Sequence, residues 1–343
     1  MQITVTVSTM RRKDIATVAN LIQAQAERLH RLDPRINPPN DIYEIRAKLE
    51  YASGDEVYRP LVARFGEQLV GYIWPGMWFL HEQSALRTFY GARNGILRDF
   101  AILPPEHTLA LISVDTLIQH VHHFWQDRRA DMFGINWPTK DSWFHDIIIR
   151  FGYMADSATA IRPLHPLPEV PTPANLVIRG ARPDDMNALE ALHIEEVAYH
   201  PPHDPLKRKM NTPALEKDFR QNIAAYFAGY PTAFGKPVVM VAEQNGEVVG
   251  LAECYIEQVT HGNLLRRGKW GYLNSVGVRA DKRGQGIGRA LVAQTLKTLA
   301  EHGAEQFYLY FMYYNPLSSK FWPSMGFEPA WTRYTRLAHS PAF

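Results

Sequence analysis

The chain has 343 residues, of which 46% are hydrophobic and 21% are charged. This length is sufficient for two domains, and the composition is that of an ordinary globular protein. The formal net charge of +2 gives no electrostatic reason to expect a nucleic-acid or membrane-surface partner. Cys254 is the single cysteine, so an internal disulfide is excluded and a reducing compartment, the cytoplasm, is expected. The sequence has neither a signal-peptide core nor an apolar run of about 18 residues, so no membrane span is expected.

The first half of the chain predicts a mixed α/β domain. An alternating apolar segment at residues 3–7 predicts a strand, and a helix is expected after Asp14. Residues 61–75 predict a hairpin that turns at Gly66, and residues 95–102 predict a further strand.

Five prolines lie within residues 162–175. Proline stiffens a chain and removes backbone donors, so this segment predicts an extended linker between two domains. The expected division is therefore a first domain at 1–161, a linker at 162–175 and a second domain at 176–343.

The second half repeats the order of the first. Residues 176–179 predict a strand and a helix is expected from Met186, followed by a hairpin at 238–255 that turns at Asn245 and Gly246. An apolar strand ends at Val278, a glycine-rich loop follows, and the helix after it ends near Gly303. Residues 307–314 predict a buried aromatic strand. The offset between matching features stays near 170 to 179 residues, which indicates an internal duplication.

The loop from Arg283 to Arg289 carries three glycines at alternate positions. Glycines at the start of a helix let an anionic group reach bare N–H groups, where the helix dipole also favours negative charge. The loop lacks the Lys-Ser or Lys-Thr of a P-loop, and it lacks the third glycine of a dinucleotide fingerprint because Arg289 stands there. The remaining pattern is R-x-x-G-x-G, read from Arg283.

This loop resembles motif A of the GNAT superfamily of N-acetyltransferases. Residues 315–327 are similar to the second signature of that superfamily, N-x-x-[AS]-x-x-[FL]-[YW]-x-x-x-G-F, with every spacing kept. The element order over 176–338 matches as well. The resemblance implies two tandem GNAT-like domains of mixed α/β class, each with a mostly antiparallel sheet flanked by helices.

The resemblance also implies that the loop holds the pyrophosphate of acetyl-CoA, with the preceding strand binding the acetyl carbonyl. We expect Gly277 either to form a bulge that opens a slot for pantetheine or to allow close packing against a helix. Asn315 can hydrogen-bond pantetheine or serve as a turn former. The expected cofactor-binding residues are Val276, Gly277, Val278, Arg283, Gly284, Gln285, Gly286, Ile287, Gly288, Arg289, Asn315 and Trp322.

The first copy has no such loop. Residues 107–112 contain leucine and isoleucine side chains where the second copy has glycines, and no arginines flank them. We therefore expect the first domain to keep the fold without binding CoA.

The catalytic residues are less clearly marked. Trp322 occupies the place of the tyrosine acid of many superfamily members, and its indole N–H cannot act as an acid. Tyr313 is a candidate replacement. Tyr272 or Asn274 stands near the usual position of a glutamate base. Glu253 and Glu257 are further candidate bases, and they share one face of a strand with Tyr255. A solvated strand face would explain these glutamates more simply, and His261 is a further candidate.

The expected activity is direct transfer of acetyl from acetyl-CoA to a primary amine of a small molecule in a ternary complex. No metal is expected, since the histidines near residue 200 fit no zinc template. That region is expected to cover the acceptor, and the chain is expected to be a monomer or a homodimer. The alternatives are a non-catalytic acyl-CoA sensor or scaffold, transfer of a longer acyl chain, and a protein N-terminus or lysine as acceptor.

Overall fold

A computed structural model describes residues 4–260 and 264–339. Its contacts divide the chain into two compact units. The first contains residues 4–81, 90–155 and 330–339, and the second contains residues 82–89, 156–260 and 264–329. This division differs from the expected boundaries, because residues 156–161 and the proline-rich segment lie in the second unit, whereas residues 330–339 lie in the first.

Apart from short 3-10 turns, both halves follow the same order: one strand, two helices, three strands, then a helix, a strand, a helix and a strand. The strands are β1 (Thr6–Thr9), β2 (Leu61–Phe65), β3 (Gln68–Phe79), β4 (Arg93–Ile102), β5 (Met132–Pro138), β6 (Met154–Pro163), β7 (Leu176–Gly180), β8 (Lys236–Gln244), β9 (Glu247–Val259), β10 (Gly268–Val278), β11 (Gln306–Met312) and β12 (Glu328–Leu337). The helices are α1 (Ile15–Leu32), α2 (Ile42–Ser53), α3 (Ala110–Asp127), α4 (Ser142–Arg150), α5 (Met186–Ala198), α6 (Thr212–Ala228), α7 (Ile287–Glu301) and α8 (Ser318–Ser324).

Each unit has a mixed, mostly antiparallel sheet, as the sequence predicts. In the first unit the order is β1-β2-β3-β4-β5-β12, and in the second it is β7-β8-β9-β10-β11-β6. The parallel neighbours are β4 with β5 and β10 with β11. The last strand of each sheet comes from the opposite half of the sequence, because β12 pairs with β5 and β6 pairs with β11. The two copies have therefore exchanged their final strands.

The sheet of the second unit buries a separate core on each face. On one face α7 packs Leu291, Leu296 and Leu299 against strand residues that include Cys254 and Leu273. On the other, α5 and α6 pack against β8 and β9 through a second core of Leu189, Leu192, Phe219, Ile223, Val239, Val241 and Leu251. We call these the α7 face and the α5 face.

Local turn chemistry accounts for the hairpins and for the end of α7. Asn245 and Gly246 have φ of +54° and +83°, the conformation of a two-residue hairpin turn, and they join β8 to β9 as predicted. Gly303, at φ +90°, follows the last turn of α7, where glycine is favoured because it adopts this conformation without strain.

The first strand begins at Thr6, and Ile3 lies outside the described residues. Among the helices that the structure describes, none is long and apolar enough to cross a membrane.

Candidate active site

The glycine-rich loop joins β10 to α7 in a conformation that requires glycine. Gly284 and Gly286 have φ of +79° and +82°, in the left-handed region. Gly286 is the N-cap of α7 and provides no capping side chain. The first N–H groups of a helix have no partner within the helix, so this end offers uncapped donors together with the positive end of the dipole. These are the donors that the phosphate cradle predicted from the sequence would use.

The two arginines of the loop make protein contacts. Arg283 donates from Nε to the Val278 carbonyl at 2.9 Å and from Nη2 to Glu195 at 3.0 Å. It therefore braces the loop against β10 and α5. Arg289 is exposed on α7, and its Nη1 donates to Ser324 Oγ at 3.1 Å. Arg289 therefore lies on the solvent side of the loop.

Strands β10 and β11 pair over only part of their length. The parallel register joins Trp270–Leu273 to Gln306–Leu309, and no pair follows. A register shift between Leu273 and Ser275 places a β-bulge at Asn274 in the pairing with β9. The predicted bulge at Gly277 is therefore wrong. A Cβ at Gly277 would lie 3.2 Å from Glu196 Cβ, so this glycine allows α5 to pack closely against β10.

Glu253 lies on the α5 face beside this bulge and is 1% exposed. Its carboxylate accepts hydrogen bonds from the Tyr255 hydroxyl, from Asn274 Nδ2 at 3.0 Å and from Asn222 Nδ2 at 3.3 Å. Burial raises the pKa of Glu253, and these hydrogen bonds and His193 oppose the rise. The solvated strand face considered from sequence is wrong for Glu253, which is a buried carboxyl in a polar network.

Tyrosine rings line the same face. Tyr272 stacks on Tyr308 with centroids 4.7 Å apart and lies 6.1 Å from the Tyr255 ring. The Tyr272 hydroxyl donates to Asn274 Oδ1 at 2.7 Å, and the Tyr308 hydroxyl donates to Glu257. Two candidate catalytic residues, Glu253 and Tyr272, therefore belong to one network that is joined by Asn274.

A second polar chain runs from this region toward the surface. His193 Nδ1 lies 3.2 Å from Ser275 Oγ, which donates to Glu196 Oε2 at 3.2 Å, and Glu196 Oε1 lies 3.1 Å from His200 Nε2. Burial alone would raise the pKa of Glu196, but His200, His193 and Ser275 lower it overall. His193 is buried and stacks on Phe219, whereas His200 is partly exposed.

The remaining predicted residues lie elsewhere. Trp322 is 8% exposed and contacts Phe327 edge to face in the core of the α7 face. Tyr313 also packs against that core, so the structure does not bring it to Glu253. Asn315 Oδ1 accepts from the backbone of Leu317 and Ser318, the turn-forming role considered from sequence. Val276 and Val278 pack against the same core, and His261 lies outside the described residues.

Sequence reasoning missed Asn222 and Ser275, which come from α6 and β10 and share no motif. Asn274 stands near the usual position of the glutamate base, and its side chain belongs to this network. His193 and Glu196 lie in the region that the sequence predicts to cover the acceptor.

The corresponding turn of the first unit differs from this loop. Leu109 and Ala110 are buried there, and α3 begins at Ala110. None of residues 107–112 has a positive φ. This turn has neither the left-handed glycines nor the open space of the second copy. Among the described residues, no group of three or more histidine, cysteine, aspartate or glutamate side chains could hold a metal.

The chain is similar to known acetyltransferases. Residues 206–327 match the model of the Acetyltransferase (GNAT) family. A GCN5-related N-acetyltransferase from Sphaerobacter thermophilus superposes with a TM-score of 0.55 at 16% identity, over 99% of this chain and 97% of that one. A GCN5-related glucosamine N-acetyltransferase region of a fungal β-N-acetylglucosaminidase superposes with a TM-score of 0.50 at 15% identity, over 98% of this chain and 38% of that one. No curated protein matches the sequence.

Within the second unit, residues 206–327 are therefore similar to the N-acetyltransferases of the GNAT family, and this region contains the glycine loop and the partly paired β10 and β11. The solved structures support the fold alone, because their identities to this chain are low.

Proposed function

We propose that this chain transfers the acetyl group of acetyl-CoA to a primary amine of a small molecule, by direct transfer in a ternary complex. The observation that carries the proposal is the end of pairing between β10 and β11 after Leu273 and Leu309. The length of β10 that is not paired with β11 begins beside the buried Glu253 network. It ends at Val278, where the loop to the uncapped start of α7 begins. A thioester held at α7 would thus reach a buried carboxylate.

Acetyl transfer needs a base for the amine and a proton for the departing thiolate. The amine nitrogen attacks the thioester carbonyl, the carbon–nitrogen bond forms and the carbon–sulfur bond breaks. We assign the amine proton to Glu253, through an intervening water. Because burial raises its pKa, this carboxylate is a better base than an exposed glutamate would be.

The thiolate receives the second proton. Thiols have a pKa of about 8.5, so the thiolate can leave without a protein acid. Tyr272 is the candidate donor on β10, because its hydroxyl belongs to the Glu253 network through Asn274. Tyr313 does not share that face of the sheet. If the Tyr272→Phe variant retains activity, the thiolate receives its proton from solvent and not from Tyr272.

The acceptor side favours a cationic amine. Tyr272, Tyr308 and Tyr310 have ring centroids 4.7 to 5.9 Å apart, and Phe234 lies 6.1 Å from Tyr272. Phe234 and Tyr310 are 40% and 50% exposed, so this aromatic surface reaches solvent. An ammonium group is attracted to the faces of such rings. The half-buried Glu257 on the same face adds negative charge.

Catalysis and cofactor binding are tested separately. Calorimetry with acetyl-CoA measures binding, and release of free thiol across a panel of primary amines measures transfer. We expect Glu253→Gln to bind acetyl-CoA as the wild type does but to release thiol about 100-fold more slowly. Glu301→Gln, at an exposed position of α7, is the control for loss of a carboxylate. Tight acetyl-CoA binding without amine-dependent thiol release would instead support the sensor alternative.

We propose that the chain acts in the cytoplasm, as a monomer or a homodimer, without a nucleic-acid or membrane partner. The near-neutral net charge supports the last point. Cys254 is the single cysteine of the chain, so no internal disulfide can form, which supports a reducing compartment. Burial raises the pKa of this thiol well above its usual value, which keeps it protonated and unreactive.

A further inference from the structure

The proline-rich segment 162–175 is anchored to the second unit. Leu164, Leu167 and Val170 pack against the core of the α7 face. The buried Arg162 donates from Nε to the Met325 carbonyl at 2.9 Å and from Nη1 to the Pro163 carbonyl at 2.8 Å, and its Nη2 donates to the Pro166 carbonyl. Guanidinium hydrogen bonds to several carbonyls fix a backbone that forms few bonds of its own. The segment therefore has a defined position.

That position brings the end of the segment beside the glycine loop. A Cβ added at Gly286 would have one neighbour within 4 Å, Pro173 Cγ at 3.7 Å. An open cleft of about 350 Å³ lies between the proline-rich segment and the glycine loop. Its lining residues are Val170, Pro171, Thr172, Pro173, Gln285, Gly286 and Arg289.

The two walls of this cleft differ in chemistry. One wall is formed by the valine and proline side chains of the segment and is mostly apolar. The other contains the start of α7 and the guanidinium of Arg289. The volume lies at the lower end of the range for small-molecule pockets, roughly 300–1,000 Å³. A ligand with a flat apolar part and an anionic group fits this combination, since the flat part can lie on the prolines and the anionic group can pair with the arginine.

We propose that residues 170–173 form the outer wall of the cofactor site and hold the adenosine 3′-phosphate end of CoA, with Arg289 paired to the 3′-phosphate. The proposal rests on the proposed use of acetyl-CoA. The cleft is continuous with the phosphate cradle through Gly286, which belongs to both. The segment thus discriminates CoA thioesters from thioesters that lack the nucleotide.

Three thioesters test the contribution of each part of the site to binding. They are acetyl-CoA, acetyl-dephospho-CoA, which lacks the 3′-phosphate, and acetyl-pantetheine, which lacks the nucleotide. Their dissociation constants are measured by calorimetry or competition. We expect the wild type to bind acetyl-CoA about tenfold more tightly than acetyl-dephospho-CoA, and Arg289→Ala to abolish this preference. Lys297→Ala, at an exposed position further along α7, should keep it.

A matched pair of variants tests whether residues 170–173 form the outer wall of the cofactor site. Thr172→Asp places a carboxylate in the cleft, whereas Ala174→Asp places one at an exposed position that does not line it. We expect Thr172→Asp to weaken acetyl-CoA binding about tenfold by charge repulsion and to leave acetyl-pantetheine unaffected. Ala174→Asp should bind all three thioesters as the wild type does.

Two results overturn this inference alone. One is equal acetyl-CoA affinity in Thr172→Asp and Ala174→Asp, and the other is a 3′-phosphate preference that survives Arg289→Ala. A wild-type chain that binds none of the three thioesters overturns the proposed function and this inference together. Thermal unfolding of each variant establishes that a lost affinity is not a lost fold.

Discussion

Alanine at Gly286 is expected to be costly because of the backbone alone. Gly286 has φ of +82°, and the left-handed conformation costs a residue with a Cβ about 1–2 kcal/mol. Sterics contribute little, since the added Cβ would meet only Pro173 Cγ at 3.7 Å, an ordinary contact distance. Relaxation away from this φ would turn the first N–H groups of α7 away from the cradle. Both stability and acetyl-CoA affinity should therefore fall.

Gly288 provides the matched control two residues later. It lies in the first turn of α7, and its φ is not positive. A Cβ there would lie 3.5 Å from Val278 Cγ2 and 3.6 Å from the Phe321 ring, both ordinary contacts on the inner side of the helix. Alanine in place of glycine within a helix gains about 0.5–1 kcal/mol. Gly288→Ala should therefore be at least as stable as the wild type.

The two variants should thus differ by about 1.5–3 kcal/mol in the free energy of unfolding, measured by urea denaturation without cofactor. Calorimetry should show acetyl-CoA binding weakened about tenfold or more in Gly286→Ala, since one hydrogen bond to a charged phosphate contributes about 1.5–3 kcal/mol. Equal stability and equal affinity in the two variants would refute the assignment of the cradle to the left-handed glycine.

Four further predictions concern the network and the fold. Glu253→Gln should keep or raise the thermal midpoint near neutral pH while slowing transfer, because it removes a buried charge. Burial raises the pKa of Glu253 in the folded state. Its contribution to the free energy of unfolding is therefore complete below the unfolded pKa and is lost as pH rises through the folded pKa. Unfolding free energies measured over a pH series should show this loss in the wild type and not in Glu253→Gln. Over the same range kcat/KM should fall as pH decreases, since the base must be ionised. Arg208 pairs with Asp156 and Asp204, each at 2.7 Å, and Arg208→Met should cost about 3–5 kcal/mol by urea denaturation, because it removes the cation that compensates two buried carboxylates. The exposed Arg220→Met should cost less than about 1 kcal/mol, and a cost equal to that of Arg208→Met would contradict this reasoning.

The candidate site was only partly predictable. The glycine loop was predictable because its conformation is set by a few neighbouring residues, and the spacing of the glycines is visible in the sequence. The shared face of Glu253 and Tyr255 followed from strand alternation, and their hydrogen bond is consistent with it. The burial of Glu253 did not follow, because alternation shows which residues share a face but not which helix covers that face. Asn222 reaches Glu253 from α6, 31 residues earlier in the chain.

The sequence by itself predicted that the domain occurs twice, and it showed that only the second half has the glycine loop. Both conclusions depend on local spacing, which a linear sequence shows directly. The tertiary structure decided which half of the chain supplies the last strand of each sheet, since β6 and β12 would present the same pattern in either sheet. It also placed the proline-rich segment against Gly286 through Arg162 and scattered apolar contacts. Such contacts join residues far apart in sequence and leave no periodic signal, so only the packed chain shows them.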